Sequence, residues 1–150
     1  MYHYFIRKKI SWVFQRLGEG DFESLLKDFS VHFEHRFAGN HCLGGERHTV
    51  DGMRRWFKRL FSLFPQLKFE IKEIIVNGGP GNTVVSIEWR DYGKRQDGLP
   101  YENYGVHFIR LKWGRVVSVH AYLDTQRVEK ACCEMAAQGI KEATLPPIED

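Results

Sequence analysis

The sequence predicts an α+β domain, with helices packed on one face of a bent antiparallel sheet. Three observations carry this. Residues 1–64 are dominated by helical periodicity, with one alternating stretch inside it. Four consecutive runs of strand character follow, at 67–76, 83–92, 102–112 and 115–124. The breaks between those runs are too short for parallel crossovers, so the strands can only meander antiparallel.

Each element has its own signal. Phe5/Ile6, Ile10, Val13/Phe14 and Leu17 recur at helical spacing, and Gly18 and Gly20 end that helix. Asp21 is placed to cap a short second helix carrying Phe22, Leu25 and Leu26. In 31–37, Val31, Phe33, His35 and Phe37 alternate with His32, Glu34 and Arg36, the period of a strand. Residues 38–48 are Gly-rich and polar, a loop. Asp51 opens a third helix with Met53, Trp56/Phe57, Leu60/Phe61 and Phe64 on its apolar side, and Pro65 stops it. The strand runs are separated by Asn77–Asn82, a polar stretch at 93–100, and Trp113-Gly114. Residues 126–138 read as a final helix. The sequence predicts one domain over 1–143 and a disordered tail over 144–150.

Composition narrows the function classes. A chain of 150 residues with 43% hydrophobic and 14% aromatic residues holds a real core without staples. A net charge of +3 is too small for a dedicated nucleic-acid binder, and Arg54, Arg55, Lys58, Arg59 and Arg7-Lys8-Lys9 read as solvated helix faces. Cys42, Cys132 and Cys133 have neither disulfide parity nor metal spacing. The first residues lack the charge order of a signal peptide, and no apolar run approaches the roughly 18 residues a membrane span needs. The expectation is a cytoplasmic protein with no nucleic-acid or membrane partner.

Strand alternation selects the candidate site. Strand 115–124 places Ser118, His120, Tyr122 and Asp124 on one face and Val117, Val119, Ala121 and Leu123 on the other. The polar set faces either solvent or a polar-lined cavity. A tight turn at Trp113-Gly114 pairs Asn103 with Asp124 and His107 with His120, on one face; a bulge shifts the register by one and moves Asn103 and His107 to the other. Strand 83–92 contributes Trp89 and Asp91 beside Val85 and Ile87, although Asp91 also suits a strand-end turn. His35 shares a face with Phe33 and Phe37. A metal reading of His32, His35, His41, Cys42 and His48 fails on spacing, because His32 and His35 point to opposite faces and the others lie in an irregular loop.

Several segments resemble one known family. They are Gly45-Glu-Arg-His-Thr-Val-Asp-Gly-Met-Arg-Arg-Trp-Phe, Phe64-Pro-Gln-Leu-Lys-Phe-Glu-Ile, and Tyr101-Glu-Asn-Tyr-Gly-Val-His-Phe-Ile-Arg-Leu with Tyr122-Leu-Asp124. Over roughly residues 10–130 the chain resembles the SnoaL-like proteins of the nuclear transport factor 2-like superfamily. The resemblance implies a cone-shaped, curved antiparallel sheet wrapped around three N-terminal helices, with a C-terminal helix and an inner pocket. It also implies that Asp124, which ends the last strand, is a pocket acid or base; an aspartate before a helix is equally an N-cap. Limonene epoxide hydrolase resembles the 83–92 stretch, with an arginine at the position of Trp89 between carboxylates matching Asp91 and Asp124. That arginine is missing here, which argues against epoxide hydrolysis.

Two functions follow as expectations. One is an enzyme without cofactor or metal, doing acid–base chemistry on a small apolar molecule bearing a carbonyl or hydroxyl. Asp124, His120 and His107 would be catalytic, and Tyr122, Asn103, Trp89, Asp91, His35, Trp56 and Phe57 would bind. The other is a non-catalytic binding or dimerisation module. The site expectation is that Asp124, Tyr122 and His120 line a cavity with Trp89 that Trp56 or Phe57 closes; a cavity plugged by aromatics, with Asp124 turned into the helix cap, would favour the module. The aliphatic face of Val117, Val119, Ala121 and Leu123, with Val106 and Phe108, makes a homodimer through the outer sheet surface.

Overall fold

The computed structural model describes residues 1–150. The first apolar stripe becomes α1 (Tyr2–Gly18), burying Ile6, Ile10, Phe14 and Leu17. A short α2 (Glu23–Leu26) follows, its first turn held by Asp21, whose carboxylate accepts from the Ser24 amide at 3.3 Å. The third stripe is α3 (Val50–Leu63), where Thr49 caps the N-terminus by accepting from the Gly52 amide at 3.0 Å. Its buried face of Met53, Trp56, Phe57, Leu60 and Leu63 joins a core with α2, α4 (Thr125–Ala137) and α5 (Lys141–Thr144). α1 makes a second core with the inner face of the sheet, through Val85, Ile87, Trp89, Ile109 and Val119.

The strands are β1 (Phe29–Phe37), β2 (Gly45–Arg47), β3 (Lys68–Gly79), β4 (Asn82–Lys94), β5 (Pro100–Lys112) and β6 (Arg115–Leu123), in the order β2-β1-β6-β5-β4-β3. β3 to β6 form the expected antiparallel meander. β1 lies parallel to β6, which the chain between them allows, since one helix and four strands separate the two. The stretch read as loop contains β2, a three-residue strand antiparallel to β1.

The β5–β6 hairpin corrects the sequence reading. Its turn is the tight one: Trp113 and Gly114 both take positive φ, 50° and 77°, and Lys112 pairs with Arg115. Leu111 then pairs with Val116 but Arg110 pairs with Ser118, so Val117 is bulged. Beyond the bulge His107 pairs with Ala121 and Gly105 with Leu123, not with His120 and Tyr122. Val119 and Ala121 consequently face the helices, buried, while Ser118, His120 and Tyr122 face outward. The aliphatic residues are core, and only Val106, Phe108 and Val117 of the expected dimer face lie on the outer surface.

The tail is also corrected. Residues 144–150 carry no periodic pattern, yet they pack across β2 and α3 because two buried arginines need their carbonyls. Arg47 donates to the Ile148 carbonyl at 2.6 Å and Arg59 to that of Pro146 at 2.7 Å. Ile148 is buried, and the Asp150 carboxylate accepts from the His48 amide at 2.9 Å and from the Thr49 hydroxyl. No helix is long and apolar enough to cross a membrane.

Arg47 is wholly buried and also donates to the carbonyls of Gly44 and Gly45. Arg47→Met leaves three carbonyls without their donor, each costing about 1 kcal/mol or more. The expected result in urea denaturation is a loss of roughly 3 kcal/mol, with early proteolytic clipping after residue 144.

Candidate functional site

A cavity of about 140 Å³ remains where the two cores meet, between α1, α3 and the inner face of the sheet. Of its 30 lining residues 24 are hydrophobic, so its occupant has to be largely apolar. A dry cavity of about 150 Å³ in another protein accepts benzene, which sets a one-ring scale for the occupant. The cavity reaches the surface where Lys9 and Gly114 are exposed, beside a Lys9–Asp28 ion pair of 3.2 Å. Its interior polar groups are His35, Asp91, Tyr101 and His107.

Asp91 is set inward by the alternation of β4, two residues beyond Trp89. It is 6% exposed, and its Oδ1 is buried without any hydrogen-bond partner. Burial raises its pKa from 3.8 to about 7, although the backbone amides of Asn103 and of Asp91 itself pull the other way. At neutral pH this carboxyl is divided between acid and base. Tyr101 stands nearby on β5. Burial and the Asp91 charge raise its pKa further, so the phenol keeps its proton. Its oxygen already accepts from Asn103 Nδ2 at 3.0 Å, leaving the hydroxyl hydrogen to donate.

Both histidines are held as single tautomers. Trp89 pairs across the ladder with Gly105, where a Cβ would come within 2.8 Å of the indole; only glycine lets the ring lie across the strand. The indole Nε1–H thus reaches His107 Nδ1 and donates at 2.6 Å. On the other wall, Arg47 Nε donates to His35 Nδ1 at 3.0 Å, and Trp56 meets the ring edge-on at 4.7 Å. Burial lowers the His107 pKa to about 4; burial and then the Arg47 charge push that of His35 well below 6.5. With Nδ1 accepting and the ring neutral, each proton sits on Nε2. Neither Nε2 has a protein partner, and both rings line the cavity.

Of the residues singled out in the sequence, His35, Trp56, Phe57, Trp89, Asp91 and His107 line this cavity, and four others do not. His120 lies on the outer face with Nε2 2.7 Å from Glu34 Oε1, and Tyr122 is 50% exposed. Asp124 caps α4, accepting from the amides of Gln126 at 3.1 Å and Arg127 at 3.4 Å, and has no access to the cavity. The Val117 bulge is the reason for all three. Asn103 is fully buried behind the lining and spends its amide on Tyr101 Oη and the Asp124 carbonyl, both at 3.0 Å. Two contributors escaped sequence reasoning. Tyr101 carried a signal, its period-two spacing with Asn103 and His107; Arg47 carried none. Glu34, Glu46 and His48 gather within 4.8 Å, but Arg36 bonds both carboxylates, at 3.1 and 3.3 Å, and occupies the place a cation would take.

A family profile described as the SnoaL-like domain matches residues 12–119. An NTF2-like protein of unknown function from Burkholderia pseudomallei K96243 superposes with a TM-score of 0.70 at 17% identity, over 83% of this chain and 95% of that one. PrhC from Penicillium brasilianum NBRC 6234 gives 0.73 at 16% identity, over 87% and 88%. A candidate SnoaL-like polyketide cyclase from Jannaschia sp. CCS1 gives 0.64 at 19% identity, over 83% and 88%. At these identities the likeness is one of fold. No curated protein matches the sequence.

The unpartnered carboxyl has a signature in stability. Its folded pKa lies above its unfolded one, so the folded state binds the extra proton between about pH 4 and 7. Stability from this group is complete below pH 4 and lost as the pH rises through 7. Asp91→Asn removes that loss, so it should raise Tm by roughly 5 °C or more at pH 8 and leave it nearly unchanged at pH 4. Thermal melts of both proteins across that range check it.

Proposed function

The chain belongs to the SnoaL-like domain family, and from that premise we propose that it performs general acid–base chemistry on a small apolar molecule, with Asp91 moving the proton. The observation that carries the reading is the Asp91 Oδ1 atom, buried, unpartnered and on the wall of an otherwise apolar cavity. An isolated buried carboxyl destabilises a fold, and such groups concentrate at functional sites. A pKa near 7 is where a proton-transfer group is most effective at neutral pH. Isomerisation, cyclisation and dehydration all fit, since each moves a proton between two positions of one substrate and needs no cofactor. The polyketide-cyclase name carried by one structural neighbour agrees with that class.

One observation favours the second reading, a binding module: Asp124 is spent on the α4 cap. The enzyme reading stays ahead because Asp91 supplies the group that Asp124 does not. A cytoplasmic location belongs to the proposal as well, supported by the buried free thiols of Cys42 and Cys132, which a reducing compartment keeps unpaired. Both keep a homodimer through the outer sheet face, carried now by the exposed Tyr104, Phe108 and Tyr122.

Deuterium exchange tests the chemistry. Wild-type protein in D₂O should catalyse exchange at the carbon beside the carbonyl of one-ring ketones. Asp91→Asn should lose about a hundredfold or more of that rate, and Asp124→Asn should keep it. Exchange that survives Asp91→Asn removes Asp91 from its role, and binding without exchange in the wild type turns the assignment to the module. Sedimentation equilibrium at micromolar concentration should give twice the chain mass, and Tyr122→Glu should halve it.

A further inference from the structure

We propose that His35 and His107 form a paired N–H donor site that takes the acceptor oxygen of the ligand, which makes the ligand a carbonyl compound — a ketone, an aldehyde or an ester — of about one ring. The proposal rests on the reading that this cavity binds a small apolar molecule, and goes beyond it by choosing the ligand's polar group.

The argument is an inventory of donors and acceptors. His107 Nδ1 is occupied by the Trp89 indole and His35 Nδ1 by Arg47, so each ring offers the cavity only its Nε2–H. The rings stand on strands flanking β6, where His35 pairs with Val119 and His107 with Ala121, and both line the one cavity. The Tyr101 hydroxyl adds a third donor, since its oxygen is taken by Asn103. Against these stands a single free acceptor, Asp91. A ligand with an ammonium group or several hydroxyls brings donors that find one partner among them. A carbonyl brings an oxygen with two lone pairs and no donor, and its α C–H is the group left for Asp91.

The chemistry balances within these residues. Ionised Asp91 takes the α-proton; the C–H electron pair becomes a C=C bond, and the carbonyl π pair moves onto oxygen. The resulting oxyanion accepts from the two Nε2–H groups, which stay neutral donors throughout because burial opposes an imidazolium here. Once the Asp91 proton has swapped with solvent, its return to the α-carbon completes an exchange, and in a conjugated enolate its return to the far carbon completes an isomerisation, with nothing oxidised or reduced.

The test uses the full chain, labelled with ¹⁵N, and an isosteric pair of probes: acetophenone, and α-methylstyrene in which CH₂ replaces the carbonyl oxygen. In the free protein, long-range ¹H–¹⁵N spectra should show both His35 and His107 as Nε2–H tautomers. Acetophenone should move both Nε2 resonances and bind about tenfold more tightly than α-methylstyrene, as two neutral hydrogen bonds allow. Asp91→Asn should keep that preference. Trp89→Phe, which frees His107 Nδ1, should lose most of it. An Nδ1–H tautomer at either ring, a ketone that moves only one Nε2 or neither, or equal affinity for the two probes overturns the donor site. With equal affinity the apolar cavity stands as a binding site; if neither probe perturbs the Phe14 or Trp56 resonances, the small-molecule reading falls with it.

Discussion

The last strand must turn Val119, Ala121 and Leu123 toward the helices, and the bulge at Val117 is what reconciles this with a tight turn at Trp113-Gly114. A two-residue turn alone would put Ser118 and His120 inside, opposite Ile109 and His107. Burying those polar side chains without partners would cost on the order of 1–3 kcal/mol each, while the aliphatic side chains would lose their contribution from burial. One unpaired backbone residue is the smaller cost. The bulge also decides the cavity. With small Ala121 rather than His120 opposite His107, there is room for the imidazole to turn toward the Trp89 indole. The bulge thereby sets β6 against its two neighbours, placing Val119 beside His35 and Ala121 beside His107, while Asp91 and Trp89 are held by the unbroken β4–β5 ladder.

A second constraint runs through Arg47. Its guanidinium is fully buried, and burial lowers its pKa only to about 10, so it remains charged at neutral pH. The carbonyls of Gly44, Gly45 and Ile148 satisfy it, its plane lies over Trp56 at 5.3 Å, and its Nε is left for His35. That arrangement ties the chain's last residues to the protonation pattern of a cavity side chain. A cation this close also explains why His35 stays neutral despite its basic ring. The order of the tail and the chemistry of the wall therefore have one cause.

Much of the fold was legible because its signals are local. The apolar stripes of α1 and α3, the stops at Gly18 and Pro65, and the four strand runs each appear within a short window of sequence. The candidate site was legible only where the period-two pattern and the burial of apolar residues agreed. On β4 they agree: Val85, Ile87 and Trp89 must be inside, so Asp91 is inside. On β6 the alternation is equally clean for either face, and assigning the aliphatic face to a subunit contact inverted the strand. The rule that helices cover the more apolar face would have chosen correctly. Val117 itself is unremarkable as a sequence, a β-branched residue among others, and nothing local marks it as bulged. The roles of Arg47 and the tail are longer-range still, since they depend on carbonyls about a hundred positions away.

The cavity wall combines groups whose burial acts in opposite directions. Between about pH 4 and 7 Asp91 draws stability from holding its proton, whereas His107 and His35 lose stability there as the pH falls, because their buried rings resist charging. The result is a window around neutrality in which both imidazoles are neutral and the carboxyl is divided between its two forms. A fully apolar wall would be more stable, and so would a carboxylate paired with Arg47 instead of one lining an apolar cavity. The chain has the donors for such a pair and does not use them: Arg47 is satisfied by carbonyls and by His35, and Asn103 by Tyr101 and the Asp124 carbonyl. Spending Arg47 and Asn103 elsewhere leaves Asp91 Oδ1 without a partner, and burial then holds the carboxyl near neutrality. A single new partner for Oδ1 would fix the carboxyl in one protonation state and end its use in proton transfer.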